Sequence, residues 1–155
     1  KSPFETMFRE DYYAPKLLFL TFMGGAADRW ANSPEFARQD ALNLAAQIPQ
    51  DMPCVFMTTL PSHKQEIVDR RLQAQENLKA AFEDTNSRCS FVSGLTPETM
   101  DAFVGNNAFF RTNSGVVKDP FHPIETGAEH FFELQSGRIC EAIFEQIGML
   151  PDPSG

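Results

Sequence analysis

Residues 17–23 read Leu-Leu-Phe-Leu-Thr-Phe-Met and run directly into Gly24-Gly25. A continuous apolar run, unlike an alternating one, is typical of a strand that is buried on both faces, as in the centre of a parallel sheet. Residues 53–60, Pro-Cys-Val-Phe-Met-Thr-Thr-Leu, repeat the pattern, and residues 89–93 form a shorter version of it. The sequence therefore predicts three strands of one parallel sheet.

Helical signals separate these strands. Residues 33–35, Ser-Pro-Glu, supply an N-cap, a proline at the first helical position and an acid, and they predict a helix that ends at Pro49. Ser62 and Gln65 match a capping box at the start of a second helix. Residues 96–98, Thr-Pro-Glu, match the start of a brief third helix. Each strand is thus followed by a predicted helix.

The order strand, helix, strand, helix, strand, short helix, loop, helix is typical of an open parallel α/β sheet with right-handed crossovers. We expect a three-layer α/β/α domain of flavodoxin-like type over residues 17–148, after a lead-in segment, 1–16, and before a tail, 149–155. Residues 105–122 are predicted to form a loop, and the closing helix to end at Gly148. Because such domains usually have about five strands, the sheet is expected to be incomplete in this chain.

Composition excludes several classes of protein. With 155 residues, of which 42% are hydrophobic, the chain is long and apolar enough for one domain with a core. A formal net charge of −8 argues against a nucleic-acid partner or an anionic membrane surface, since both require clustered Lys and Arg. No apolar run approaches the roughly 20 residues of a membrane-spanning helix. We therefore expect no membrane span.

Three cysteines, Cys54, Cys89 and Cys140, cannot all pair within one chain, and none has the spacing of a zinc site. We interpret them as buried free thiols, which behave as small apolar residues. The pair Gly24-Gly25 lacks the spacing of a phosphate-binding loop. No metal and no cofactor is expected, and the cellular compartment stays open.

Catalytic chemistry is indicated at residues 119–123, Asp-Pro-Phe-His-Pro. A carboxylate three positions before an imidazole can fix the tautomer and orientation of the ring, while the other ring nitrogen takes a proton from a nucleophile. Taken alone, the same pattern also fits a structural turn in which Asp119 caps the loop and His122 bonds to a backbone carbonyl. The sequence leaves both interpretations open.

Three features together resemble the C-terminal portion of an SGNH-type (GDSL-like) hydrolase, a superfamily of esterases and acyltransferases. They are the Gly-rich residues 24–28 after the first strand, the strand that closes with residues 58–62, and Asp-x-x-His-Pro before the last helix. The resemblance covers residues 17–148. It implies an acyl-ester substrate, His122 as the general base and Asp119 as the group that orients it.

The chain departs from the family at two points. Residues 1–155 contain no Gly-Asp-Ser, the family's nucleophile motif, so the serine is expected from a missing segment or another chain that also completes the sheet. The family's oxyanion block, Gly-x-Asn-Asp, aligns with Gly25-Ala26-Ala27-Asp28, so the resemblance places the oxyanion pocket at Gly24, Gly25, Ala27 and Asp28. Ala27 replaces the Asn amide, and loss of one oxyanion donor typically costs about 10²–10³ in rate.

Two functions follow from the resemblance. The first is a portion of an esterase or O-acyltransferase that uses a Ser-His-Asp relay. The second is a non-catalytic, SGNH-like structural subunit of a larger assembly, in which His122 and Asp119 are relics. Whether the protein is an enzyme is therefore undecided, and both functions predict that the isolated chain is inactive.

Overall fold

The computed structural model describes residues 17–21 and 27–148. It confirms a mixed α/β fold with a parallel sheet. The strands are β1 (Leu18–Thr21), β2 (Cys54–Met57), β3 (Ser90–Val92), β4 (Thr112–Asn113) and β5 (Val116–Val117); the helices are α1 (Ala27–Asn32), α2 (Pro34–Gln47), α3 (Gln65–Asp84), α4 (Pro97–Phe103) and α5 (Glu125–Gly148). The parallel sheet has the order β1-β2-β3, and β4 pairs with β5 in a separate antiparallel hairpin.

The central strand β2 explains why its sequence is apolar throughout. All four of its residues are buried, and they alternate between two cores. Cys54 and Phe56 belong to a core with residues of α1, α2 and α3, whereas Val55 and Met57 belong to a core with residues of α4 and α5. Because successive side chains of a strand point to opposite faces, the sheet lies between two helical layers.

Two differences from the sequence prediction lie in the connections. Residues 105–122 were expected to be a loop, but they contain a 3₁₀ turn, Asn107–Phe109, and the hairpin β4–β5. The hairpin turn consists of Ser114 and Gly115, both with positive φ, 49° and 75°. Two central residues with positive φ match the twist of a two-residue hairpin. The sequence Ser114-Gly115 is therefore compatible with the hairpin turn that joins β4 and β5.

The capping box predicted at Ser62 and Gln65 is wrong. Helix α3 begins at Gln65, and Lys64 occupies its N-cap position without a side-chain cap. The hydroxyl of Ser62 instead donates to the carbonyl oxygen of Pro120, 2.5 Å away. A long-range contact thus replaces the local one. The N-caps predicted at Ser33 and Thr96 are confirmed, because each side chain accepts from its own helix.

The interpretation of all three cysteines as buried free thiols is wrong, because two of them are bridged and the third is exposed. Cys54 and Cys89 form a disulfide, with 4.6 Å between their Cα atoms. The strand register causes this, since Val55 pairs with Ser90 and the preceding residues of the two strands must then lie side by side. Only Cys140, exposed on α5, is free. The spacing of the cysteines in the sequence does not indicate this pairing, because the pairing depends on the register of β2 and β3.

Gly94 lies where the backbone after β3 passes the segment after β2. A Cβ added to Gly94 would stand 2.3 Å from the carbonyl oxygen of Thr59 and 2.4 Å from that of Thr58. We expect Gly94→Ala to lower the free energy of unfolding by about 1–3 kcal/mol, because the backbone must move apart. Urea denaturation measures the change.

The matched control is Gly137→Ala, since a Cβ on Gly137 meets no described atom within 4 Å. Alanine is favoured over glycine inside a helix by up to about 1 kcal/mol, so this variant should be neutral or more stable. Equal stability of the two variants would contradict the close approach at Gly94.

No helix within the described part of the chain is long and apolar enough to cross a bilayer.

Candidate functional site

The Asp119 carboxylate organises the turn that carries His122. Its Oδ1 accepts from the backbone N–H groups of Phe121, at 2.9 Å, and of His122, at 3.2 Å. Its Oδ2 lies 2.9 Å from Nδ1 of the His122 ring. Pro120, between them, has a fixed φ and no N–H of its own, so it favours this tight turn. One oxygen therefore shapes the backbone while the other orients the imidazole.

The turn is attached to the carboxyl end of β2. Pro120 accepts two hydrogen bonds at its carbonyl oxygen, one from the Ser62 hydroxyl and one from the backbone N–H of His63, the latter at 3.0 Å. Ser62 and His63 follow β2 by a few residues. In open α/β sheets, ligands bind outside the carboxyl ends of the strands. Asp119 and His122 thus lie on the side of the sheet formed by the carboxyl ends of its strands, where such sites occur.

Arg71 of α3 ties the same two segments together. Its Nη1 donates to the carbonyl oxygen of Leu60, at 2.9 Å, and its Nη2 to that of Phe121, at 3.3 Å. Burial lowers the pKa of the Arg71 guanidinium, and the negative charge of Asp119 acts in the opposite direction. No sequence pattern marks Arg71, because its role depends on contacts between segments that are distant in the sequence.

The pKa of Asp119 lies below its ordinary value. Partial burial is the largest single influence and raises the pKa, but four attractive influences together outweigh it. These are the hydrogen bond from the His122 ring, the two backbone N–H groups, and the charge of His122. Hydrogen bonds to a carboxylate favour its charged form. Asp119 is therefore ionised at neutral pH and suited to hold a proton on Nδ1.

The imidazole of His122 is accessible. Its side chain is 64% exposed, and no atom in the described residues hydrogen-bonds to Nε2. With Nδ1–H donating to Asp119, Nε2 carries the lone pair that a general base needs. The pair can therefore accept a proton from a group that approaches from solvent.

Of the four residues expected in the oxyanion pocket, two lie among the described residues. Gly24 and Gly25 lie outside the described residues. Ala27 and Asp28 begin helix α1, whereas a Gly-rich turn was expected. The Asp28 carboxylate pairs with Arg70 of α3, with 3.1 Å between Oδ1 and Nη1. Because Arg70 directly precedes Arg71, both Asp28 and the His122 turn are bound to the same part of α3.

Ser62, the serine that hydrogen-bonds to this turn, is not placed to act as a nucleophile. Ser62 is fully buried. Its hydroxyl donates to Pro120 and accepts from the backbone N–H of Lys64 at 3.2 Å. No serine of the described residues is hydrogen-bonded to His122. The described residues thus pair a carboxylate with an imidazole and do not hydrogen-bond a serine to that imidazole.

No group of three or more His, Cys, Asp or Glu side chains within residues 17–21 and 27–148 is arranged to hold a metal ion. Comparison with protein-family models, with curated proteins and with solved structures finds no match to this chain.

Proposed function

We propose that this chain supplies the acid and the base of an SGNH-like acyl-ester hydrolase or O-acyltransferase, with the serine supplied by a segment that residues 1–155 do not include. The observation that carries the proposal is the contact between Asp119 Oδ2 and His122 Nδ1, 2.9 Å long, with Nε2 open to solvent. In a Ser-His-Asp relay the carboxylate fixes the tautomer, and Nε2 takes the serine proton.

The two contacts of the Asp119 carboxylate and the anchoring of its turn support the proposal. A structural turn needs only the backbone hydrogen bonds of Asp119, yet its second oxygen also holds the imidazole. The turn is fixed to the carboxyl end of β2 by Ser62, His63 and Arg71. A base that is oriented, accessible and rigidly anchored meets the geometric requirements for proton transfer.

The two edges of the sheet favour β1 as the place where the serine segment joins. On the outer side of β3, the carbonyl oxygen of Ser93 accepts from the side-chain amide of Gln135 at 2.7 Å, and the N–H of Cys89 donates to the Ser87 hydroxyl at 3.4 Å. These bonds occupy backbone groups that a further strand would need. No described strand lies beyond β1. Since proteins protect exposed strand edges, we propose that the completing segment, or a partner chain, pairs with β1.

A non-catalytic SGNH-like subunit of a larger assembly is the second candidate. It is favoured by Ala27, which stands where the family has the oxyanion-binding Asn, and by the two backbone bonds of Asp119, which a purely structural turn would also make. In that case the His122 ring would be held in place without abstracting a proton.

Labelling with a fluorophosphonate probe distinguishes the two candidates. The probe reacts with a serine whose proton is taken by a neighbouring base. In the natural full-length protein we expect one labelled serine, located by peptide mass spectrometry, and loss of the label in His122→Ala. Absence of any labelled serine would favour the structural subunit, and labelling that persists in His122→Ala would contradict the proposed relay.

A further inference from the structure

The peptide unit between Phe121 and His122 is held at both ends by charged side chains. Its carbonyl oxygen accepts from Nη2 of Arg71 at 3.3 Å, and its N–H donates to Oδ1 of Asp119 at 3.2 Å. Hydrogen bonds to charged groups are stronger than those between neutral groups. The C=O and N–H of a trans peptide point in opposite directions, so the two bonds fix the plane from which the His122 side chain leaves the backbone.

The two charged groups differ in what they are attached to. Asp119 belongs to the same turn as His122, so its hydrogen bonds shape the turn without fixing the place of the turn on the sheet. Arg71 belongs to α3, and its Nη1 also donates to the carbonyl oxygen of Leu60, three residues after β2, at 2.9 Å. One guanidinium therefore joins the His122 peptide to the carboxyl end of the central strand.

The other anchors of the turn act on either side of this peptide. Before it, Pro120 is bonded to the segment that follows β2. After it, the N–H of Ile124 donates to the carbonyl oxygen of Phe109 at 2.8 Å. Among the described residues, Arg71 is the only group of another element that bonds to the peptide preceding His122. The direction of the ring thus depends on Arg71 more directly than on the remaining anchors.

A guanidinium suits this position. Its planar fork can donate to two carbonyl oxygens at once, whereas the ammonium group of lysine is a point charge on a flexible chain. Burial lowers the pKa of Arg71, and Leu60 is buried as well. A donor lost here is therefore not readily replaced by water, and the two segments that Arg71 joins would separate.

We propose that Arg71 is a positioning residue, which sets the place and direction of the His122 ring at the carboxyl end of the sheet. The inference rests on the proposed function, in which Nε2 of that ring must reach a serine. Misplacement of a reacting group by about 1 Å can cost about 10²-fold in rate. Without Arg71 the carbonyl group of Phe121 is released, the peptide can rotate, and the contact of the ring with Asp119 weakens.

Turnover of p-nitrophenyl acetate by the natural full-length protein tests this role. We expect Arg71→Gln to lower kcat at least about tenfold with KM changed less than about twofold. Arg71→Lys keeps the charge and one hydrogen bond, so it should lower kcat less. Arg88→Gln is the matched control, because Arg88 also donates to backbone carbonyl oxygens, those of Ile48 and Met52, but before β2 and β3. It should lower stability and leave kcat unchanged.

The tautomer of His122 supplies a readout that needs no turnover. At a pH at which the ring is neutral, ¹⁵N spectra of the histidine-labelled wild type should show the proton on Nδ1, where it can bond to Asp119. In Arg71→Gln the signals should shift towards a mixture of the two tautomers. In Arg88→Gln they should stay as in the wild type.

Two outcomes overturn the inference. One is an Arg71→Gln variant with the kcat and the tautomer of the wild type. The other is a loss of kcat in Arg88→Gln as large as that in Arg71→Gln, since the effect would then be one of general stability. Failure of the proposed function looks different: turnover is absent or survives His122→Ala, while the tautomer of His122 still depends on Arg71.

Discussion

His122→Ala is expected to lower kcat for a short-chain aryl ester by at least about 10³-fold in the natural full-length protein. Without the imidazole no group takes the proton from the serine, so the nucleophile stays in its weak, protonated form. Turnover of p-nitrophenyl acetate measures the effect. The ring of His122 is exposed, so its removal should leave the free energy of unfolding nearly unchanged and the loss should be one of chemistry.

Asp119→Asn separates the relay from the turn. An asparagine oxygen can still accept from the N–H groups of Phe121 and His122, which now bond to Oδ1 of Asp119. Its NH2 group, however, can only donate to Nδ1, so the ring tends towards the tautomer in which Nδ1 is unprotonated and Nε2 carries the proton and is no longer a base. We expect stability close to that of the wild type and a loss of kcat comparable to that of His122→Ala.

Other outcomes assign the pair differently. If Asp119→Asn and His122→Ala change stability and leave turnover intact, the pair is a structural turn and the chemistry lies elsewhere. If the natural full-length protein shows no turnover on any short-chain ester, the structural-subunit function is favoured. Residues 1–155 alone should show no ester hydrolysis above background, because they contain no Gly-Asp-Ser. Turnover by that chain, unaffected by His122→Ala, would refute the SGNH resemblance.

The fold was predictable as far as it depends on local pattern. The apolar run of β2 predicted a strand buried on both faces, and its four residues do alternate between two cores. Proline after a capping residue placed the starts of α2 and α4 correctly. What failed were features that depend on tertiary contact: Ser62 bonds to Pro120, 58 residues away, and so does not cap α3.

In the candidate site, too, the local feature could be predicted from the sequence and the long-range contacts could not. Asp119 and His122 are three residues apart, so their pairing within one turn could be expected from their spacing. The anchoring of that turn could not be, because Arg71 reaches Leu60 and Phe121 from another element. Long-range partners of arginine leave no pattern along a chain. The catalytic role of the pair remains a prediction.

Removal of the disulfide is expected to have the largest effect on stability. In the chain-entropy account, a disulfide lowers the conformational entropy of the unfolded chain. For residues 35 apart, as Cys54 and Cys89 are, this raises the free energy of the unfolded state by about 3–4 kcal/mol. The double variant Cys54→Ala, Cys89→Ala should therefore unfold at a clearly lower urea concentration. The bridge joins the first residue of β2 to the residue before β3, so it lies at the ends of these strands opposite to Gly94 and to the turn that carries His122.

The control is Cys140→Ala, which removes an exposed thiol and should change the free energy of unfolding of the monomer by no more than about 0.5 kcal/mol. Thiol titration under denaturing, non-reducing conditions should count one free cysteine per chain, and reductant should raise the count to three. Reductant should also lower the urea midpoint of the wild type towards that of the double variant, and leave the double variant unchanged. Three free thiols without reductant would restore the interpretation drawn from the spacing of the cysteines.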